Sequence, residues 1–172
     1  CDGLGVELFF DERLVVPDQG LSLAQGAIAP WSKSKSPYFL QTIEAIAKHY
    51  EFDKKKKWKD LPEKVQQVFL NGSGGEEIQF RYDEGGRIYQ VSRVFEGVIP
   101  NMERRYRETD SAWSREEMER YQNNRPCGAC GGYRLKPEAL AVKIAGLHVG
   151  QVVQMSIREA FDWIGTVPES LT

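Results

Sequence analysis

Cys127 and Cys130, in "RPCGACGG", constrain this chain more than any other feature. A C-x-x-C turn holds two thiolates close enough for one metal ion. The remaining cysteine is Cys1, in "CDGLG". Gly131 and Gly132 follow Cys130, and Gly3 and Gly5 follow Cys1. Glycines in those places permit the φ > 0 turn that points backbone N–H groups at sulfur. Cys1 therefore reads as the second cysteine of another C-x-x-C, cut off just upstream. Two such knuckles facing each other make a four-cysteine zinc site, and structural zinc needs four ligands. A zinc ribbon does not need so many residues between its halves, so the intervening stretch reads as an independent inserted domain. The plainer alternative is a pair of free thiols in a Gly-rich turn, with Cys1 incidental. A redox pair is a third option, but no βαβ pattern surrounds the motif.

The chain has 172 residues, of which 41% are hydrophobic, with 4 Trp, 7 Tyr and 8 Phe. That is enough to build a core without disulfide staples, in one domain or one domain plus part of another. A formal net charge of −2 does not announce nucleic-acid binding, but it hides segregation. Asp2, Glu7, Asp11, Glu12 and Asp18 stand against Arg13 alone in residues 1–20, for a balance of −4. Residues 31–70 carry nine lysines against five acids, for +4. One basic face on a near-neutral protein fits this pattern. The N-terminal stretch lacks the basic head and apolar run of a signal peptide, and no apolar stretch is long enough to span a membrane. Few cysteines at C-x-x-C spacing point to a reducing compartment, hence the cytoplasm, and to metal rather than disulfides.

Hydrophobic periodicity predicts an α+β chain. "VELFFDERLVV" reads as a strand or extended segment over 6–16. Ser22 and Gln25 have capping-box spacing. "SPYFLQTIEAIAKHY" is the strongest helix, with Phe39, Leu40, Ile43, Ile46, Ala47 and Tyr50 on one face. A basic loop leads to a second helix behind Pro62, striped by Val65, Val68 and Phe69 and stopped by "NGSGG". "EIQFRYDEGGRIYQVSRV" alternates around a Gly-Gly turn and predicts an antiparallel hairpin. Further helices are expected from Pro100, behind Ser114 with Glu117, and behind Ser156 with Glu159. "ALAVKIAGLHV" reads as strand, turn and strand.

Several of these stretches together resemble one family. "CDGLGV", "LSLAQGAI", "NGSGG", "EGVIPNMERRYRET" and "NRPCGACGGYRL" occur in the order found in bacterial UvrA, the damage-sensing ATPase of nucleotide excision repair. The resemblance covers residue 1 to about 165, and the pairing of "EGVIPNMERRYRETDS" with "NRPCGACGG" is its most specific part. It implies an insertion domain over 7–122, carried on a zinc module and part of a signature subdomain formed by 1–6 and 123–172. It also implies that Cys1, Cys127 and Cys130 match three of four zinc ligands and that the chain is an excised piece. The longer protein would bind ATP, form a homodimer and pass DNA to UvrB. The departures are plain. The chain has no G-x-x-x-x-G-K-[ST] and no L-S-G-G, so this stretch is not expected to hydrolyse ATP.

The resemblance further implies a module that clamps double-stranded, damaged DNA near a lesion. Binding without base identity needs Lys and Arg that neutralise phosphates, plus sensitivity to shape. Three stretches qualify. In "MERRYRET", a helix puts Arg104 and Arg107 on one side and turns Arg105 about 100° away. The competing reading is that glutamates simply pair with these arginines. Lys33 and Lys35 precede a helix start, where free N–H groups suit a phosphate, or lie in an ordinary polar loop. Lys54, Lys55, Lys56 and Lys57 form a run that either meets DNA or is a solvated face. His49 and His148 are lone, and no nucleophile is paired with a base. Three rivals remain: a protein-interaction module docking UvrB or another repair partner, a DnaJ-like zinc domain, which would need more repeats of its motif, and a structural spacer.

Overall fold

A computed structural model describes residues 1–32 and 36–170. In chain order it contains β1 (Val6–Phe10), α1 (Glu12–Val15), α2 (Ala29–Ser32), α3 (Pro37–His49), α4 (Glu63–Asn71), β2 (Glu77–Glu84), β3 (Arg87–Val94), α5 (Val98–Glu108), α6 (Ala112–Glu119), β4 (Gln122–Pro126), α7 (Pro137–Ala141), β5 (Lys143–Ile144), β6 (Leu147–His148), α8 (Val149–Val152) and α9 (Ile157–Ser170). The strands pair as β1 with β4, β2 with β3, and β5 with β6. The last two pairs are antiparallel hairpins. The fold is thus helices mixed with small sheets. Contacts divide the chain into two compact units, Phe10–Gln122, and Cys1–Phe9 with Asn123–Thr172.

In Phe10–Gln122 the expected extended run over 6–16 stops at Phe10. The Asp11 carboxylate accepts the Arg13 N–H at 2.8 Å and caps a single helical turn, α1. Ser22 and Gln25 form the expected box, with Ser22 Oγ accepting from Gln25 N–H (3.3 Å) and Gln25 Oε1 from Ser22 N–H (3.0 Å). It closes one 3₁₀ turn. Helix α3 starts at Pro37 and buries Ile43, Ile46 and Ala47 as expected, but its stripe is shifted toward Thr42 and away from Leu40. Thr42 is inside, and Leu40 is 62% exposed. Leu40 lies roughly 110° from the centre of the 42–43–46 stripe. Thr42 is accommodated because its hydroxyl donates to the Tyr38 carbonyl at 2.8 Å.

Helix α4 buries Val65, Val68, Phe69 and Leu70. It ends at Gly72, where φ is 97° and a Cβ would stand 2.6 Å from the carbonyl oxygens of Phe95 and Glu96. Only glycine fits that approach. In the hairpin, Glu77 faces Val94 and Glu84 faces Arg87. Period-2 alternation buries Ile78, Phe80 and Tyr82 and leaves Gln79 and Arg81 exposed. Helix α3 flanks β2, and the Gln41 side chain serves as an edge partner. It donates to the Asp83 carbonyl (3.3 Å) and accepts the Asp83 N–H (3.1 Å). Helix α5 begins at Val98, not Pro100, which falls in its first turn. Helix α6 is capped by Ser111, three residues before Ser114, because Ser111 is extended and accepts the Ser114 N–H at 3.3 Å. The core centres on Phe69, which is fully buried and meets Trp31, Phe52, Trp58 and Phe95 edge-on at 6.1–6.4 Å.

The other unit is built differently. Arg125 Nε donates to Glu7 at 2.6 Å, and its guanidinium lies 5.1 Å from the Phe9 ring centre. The stretch expected as a strand at 139–142 is part of a short helix, α7, because Pro137 opens a first turn there. The β5–β6 hairpin turns at Ala145 and Gly146, both with positive φ. Ser156 and Glu159 box the start of α9, with Glu159 Oε2 accepting the Ser156 N–H at 2.7 Å. Among the described residues of this unit, Cys127 and Cys130 supply all of the buried apolar side chains.

Candidate metal centre and nucleic-acid interface

The Sγ atoms of Cys1, Cys127 and Cys130 all lie within 4.8 Å of one another, and those of Cys1 and Cys130 are 3.8 Å apart. The local sequence explains how. Asp2 and Gly3 have φ of 45° and 81°, and Gly131 and Gly132 have 59° and 88°. The two cysteines are therefore each followed by the same left-handed pair. Each turn closes in the same way, Leu4 N–H to the Cys1 carbonyl (2.7 Å) and Tyr133 N–H to the Cys130 carbonyl (2.9 Å). The Cys127 N–H ties them together by donating to the Gly5 carbonyl at 2.9 Å. Gly5 is required there, since a Cβ would stand 2.8 Å from the Gly132 oxygen.

Backbone N–H groups of Cys130 and Ala129 point at the Cys127 sulfur and hold its thiol below the ordinary thiol value. That favours the thiolate, the metal-binding form. Tetrahedral Zn²⁺ with Zn–S bonds of about 2.3 Å sets neighbouring sulfurs about 3.8 Å apart. The donor set and the Cys1–Cys130 spacing fit that ion.

The basic candidates sort by their partners. Arg104 donates to Glu96 through Nε (2.8 Å) and Nη2 (3.1 Å), and to Glu108 through Nη1 (2.9 Å). Glu96 and Glu108 hold its proton more firmly than usual, and Arg104 in turn lowers the Glu96 carboxyl. Arg105 and Arg107 are exposed on the same helix and carry no ion pair among the described residues. Lys54 is paired with Glu44 at 2.6 Å. Lys55, Lys56 and Lys57 are exposed in the turn before Trp58 and are not in ion pairs with described residues. Lys33 and Lys35 lie outside the described residues.

Two features escape the sequence reading. His49 ends α3, and its Nε2 contacts Glu76 at 2.9 Å, while Tyr50 donates its hydroxyl to Glu76 at 2.8 Å. These bonds hold the Glu76 carboxyl down to about 2. Burial, and then Glu76 itself, push the Tyr50 phenol up to about 12. A cavity of about 430 Å³ also opens between α3 and the exposed face of the hairpin. Period-2 alternation was the available signal for that face, because it places Gln79 and Arg81 on the solvent side. Among the described residues, no helix is long and apolar enough to cross a membrane.

The family model described as the UvrA DNA-binding domain matches residues 11–120. UvrABC system protein A of Bradyrhizobium diazoefficiens is 54% identical over 171 residues, covering 99% of this chain and 17% of that protein. The Agrobacterium fabrum protein of the same name is also 54% identical over 171 residues, covering 99% of this chain and 18% of its own length. The chain thus spans less than a fifth of these relatives. Among solved structures, UvrA2 from Deinococcus radiodurans shares the fold, with a TM-score of 0.64 at 21% identity over 95% of this chain and 21% of that one.

Proposed function

The chain belongs to the UvrA DNA-binding domain family, and from that premise we propose that it grips double-stranded DNA beside lesions without reading the bases. The match over residues 11–120 carries the reading, because that span contains Arg105, Arg107 and the Lys55–Lys57 turn. Unpaired surface cations supply sequence-independent affinity by releasing counterions from phosphates. Damage is then sensed through the shape and deformability of the duplex. In this reading Cys1, Cys127 and Cys130 hold one structural Zn²⁺, completed by a fourth ligand from a neighbouring knuckle. The ion would lock the twin turns and carry out no chemistry. Residues 7–122 serve as the insertion domain, and residues 1–6 and 123–172 as its zinc-bearing base. ATP hydrolysis, self-association and transfer to UvrB belong to other regions of a longer cytoplasmic protein.

Fluorescence anisotropy of lesion-bearing and undamaged duplexes across salt concentrations tests this. Affinity should fall as salt rises, and Arg105→Gln with Arg107→Gln should shallow the log–log slope by about 1.8. No binding at low salt, or a flat slope, would sink the proposal. Trp113, 72% exposed at the start of α6, favours a second reading as a protein-docking module. That reading gains if Trp113→Ala abolishes binding to UvrB while duplex binding is absent throughout.

A further inference from the structure

The cavity between α3 and the hairpin is lined by basic and amide side chains from three elements. Lys48 comes from α3, Arg81 and Gln79 from β2, and Gln90 from β3. Arg81 and Gln90 are directly opposite in the antiparallel ladder, so both side chains leave the same face. Gln79 Nε2 donates to Gln90 Oε1 at 3.4 Å. The Gln90 NH₂ meets no acceptor among the described residues, which leaves it a donor toward the cavity.

The charges around the cavity are uneven. Glu44 lines it but is engaged by Lys54 at 2.6 Å. Glu76 is held by His49 and Tyr50 and lies 3.5 Å from Lys64. Glu77, on the same strand face, accepts the Ser92 hydroxyl at 3.1 Å. Asp83 accepts the Gly86 N–H at 2.7 Å. Glu44 and Glu76 thus sit against lysines, Glu77 and Asp83 do not line the cavity, and Lys48 and Arg81 have no ion pair among the described residues. Two unpaired cations and an amide donor around one open polar cavity form a receptor for an oxyanion. Arg supplies a planar fork that matches phosphate, and Lys a point charge beside it.

We propose that Lys48, Arg81, Gln79 and Gln90 form a phosphate subsite that seats one phosphodiester of the duplex backbone. This rests on the DNA-gripping reading and adds residues to it. None of the four belongs to the Arg105–Arg107 helix or the Lys55–Lys57 turn. The contact is to phosphate alone, so it positions the duplex and carries no base preference.

The test titrates the 172-residue chain with a short duplex and, separately, with inorganic phosphate, following the side-chain amide signals of Gln79 and Gln90 by NMR. The duplex is expected to shift both. Lys48→Gln and Arg81→Gln should each shallow the salt slope by about 0.9 and weaken binding about eightfold at 0.1 M salt. Arg81→Lys should restore most of the slope. The backbone spectrum of each variant confirms that the hairpin is folded. If the wild type binds duplex but the double variant binds with unchanged slope and affinity, the subsite is wrong and the DNA-gripping reading stands. If the wild type binds no duplex even at low salt, that reading falls and the subsite falls with it. If inorganic phosphate shifts the two glutamines and duplex does not, the pocket takes free phosphate and the backbone assignment is overturned.

Discussion

With zinc loaded on the cysteine cluster, removing it should unfold one unit and spare the other. The unit formed by Cys1–Phe9 and Asn123–Thr172 has almost nothing else to stabilise it. Among its described residues only Cys127 and Cys130 are buried apolar side chains, while Val142, Val149, Val153, Ile157 and Phe161 are exposed. Burial contributes about 25 cal/mol per Å² of apolar surface, so a region without a core draws little from it. Metal affinity then becomes folding free energy. Zinc at a thousand times its Kd contributes about 4.1 kcal/mol, equivalent to about a thousandfold in amide protection. The reporters are specific. They are the N–H groups of Leu4, Cys127, Gly131 and Tyr133, bonded to the carbonyls of Cys1, Gly5, Cys127 and Cys130. Hydrogen exchange before and after chelation should show their protection collapse by roughly three orders of magnitude. Amides beside Ile46, Phe69 and Phe80 in the other unit should keep theirs. Cys127→Ser should reproduce the effect and abolish metal uptake. Unchanged protection at Gly131 and Tyr133 in metal-free protein would refute the argument that zinc replaces a core here.

Three further outcomes follow from the other unit. Phe69→Ala removes the ring that Trp31, Phe52, Trp58 and Phe95 all touch. It should cost about 3–5 kcal/mol in denaturant unfolding, and a loss under about 1.5 kcal/mol would mean the site collapses or is not central. Glu76 has its carboxyl held down to about 2 from an ordinary 4.5. A depressed carboxylate contributes stability above its unfolded value and loses it as pH falls through the folded one. Relative to Glu76→Gln, the wild type should therefore lose Tm as pH drops from 4.5 toward 2, and parallel curves for the two would contradict this. Glu96→Gln combined with Arg104→Gln deletes a self-satisfied pair, so duplex binding should keep its salt slope. A decrease of about 0.9 would show instead that Arg104 meets phosphate.

Much of the fold was legible wherever the deciding bonds are local. The Ser22–Gln25 and Ser156–Glu159 boxes each need only two residues three apart, and both form as the spacing requires. Alternation around Gly85 and Gly86 placed the hairpin and its buried face. Failures came where a competing local bond or a distant packing partner decides. Asp11 turned an apolar run into a helix by accepting a single N–H, and Ser111 captured a helix start that Ser114 also suited. Leu40 outranks Thr42 by hydrophobicity, yet the face that meets the hairpin is Thr42's. Nothing in α3 alone reveals that rotation.

The candidate sites divide along the same line. The likeness of the Cys1 and Cys130 turns was legible in the glycine two residues after each cysteine, Gly3 and Gly132, and the φ values of the two turns agree within about 15° per residue. Which cations are available was not legible, because sequence shows charge but not pairing. Arg104, Arg105 and Arg107 look alike in "MERRYRET". Glu96 lies before the helix, beyond Gly97, and the turn at Gly97 brings it back to Arg104 alone. Helical rotation turns Arg105 about 100° away, while Arg107, on Arg104's side, stands nearly a turn further along the helix from Glu96. One basic helix thus carries an arginine held by two glutamates and two with no ion pair among the described residues. The sorting variable is the position of the acids: Glu44 and Glu76 sit against Lys54 and Lys64, and Lys48 and Arg81 carry no ion pair among the described residues.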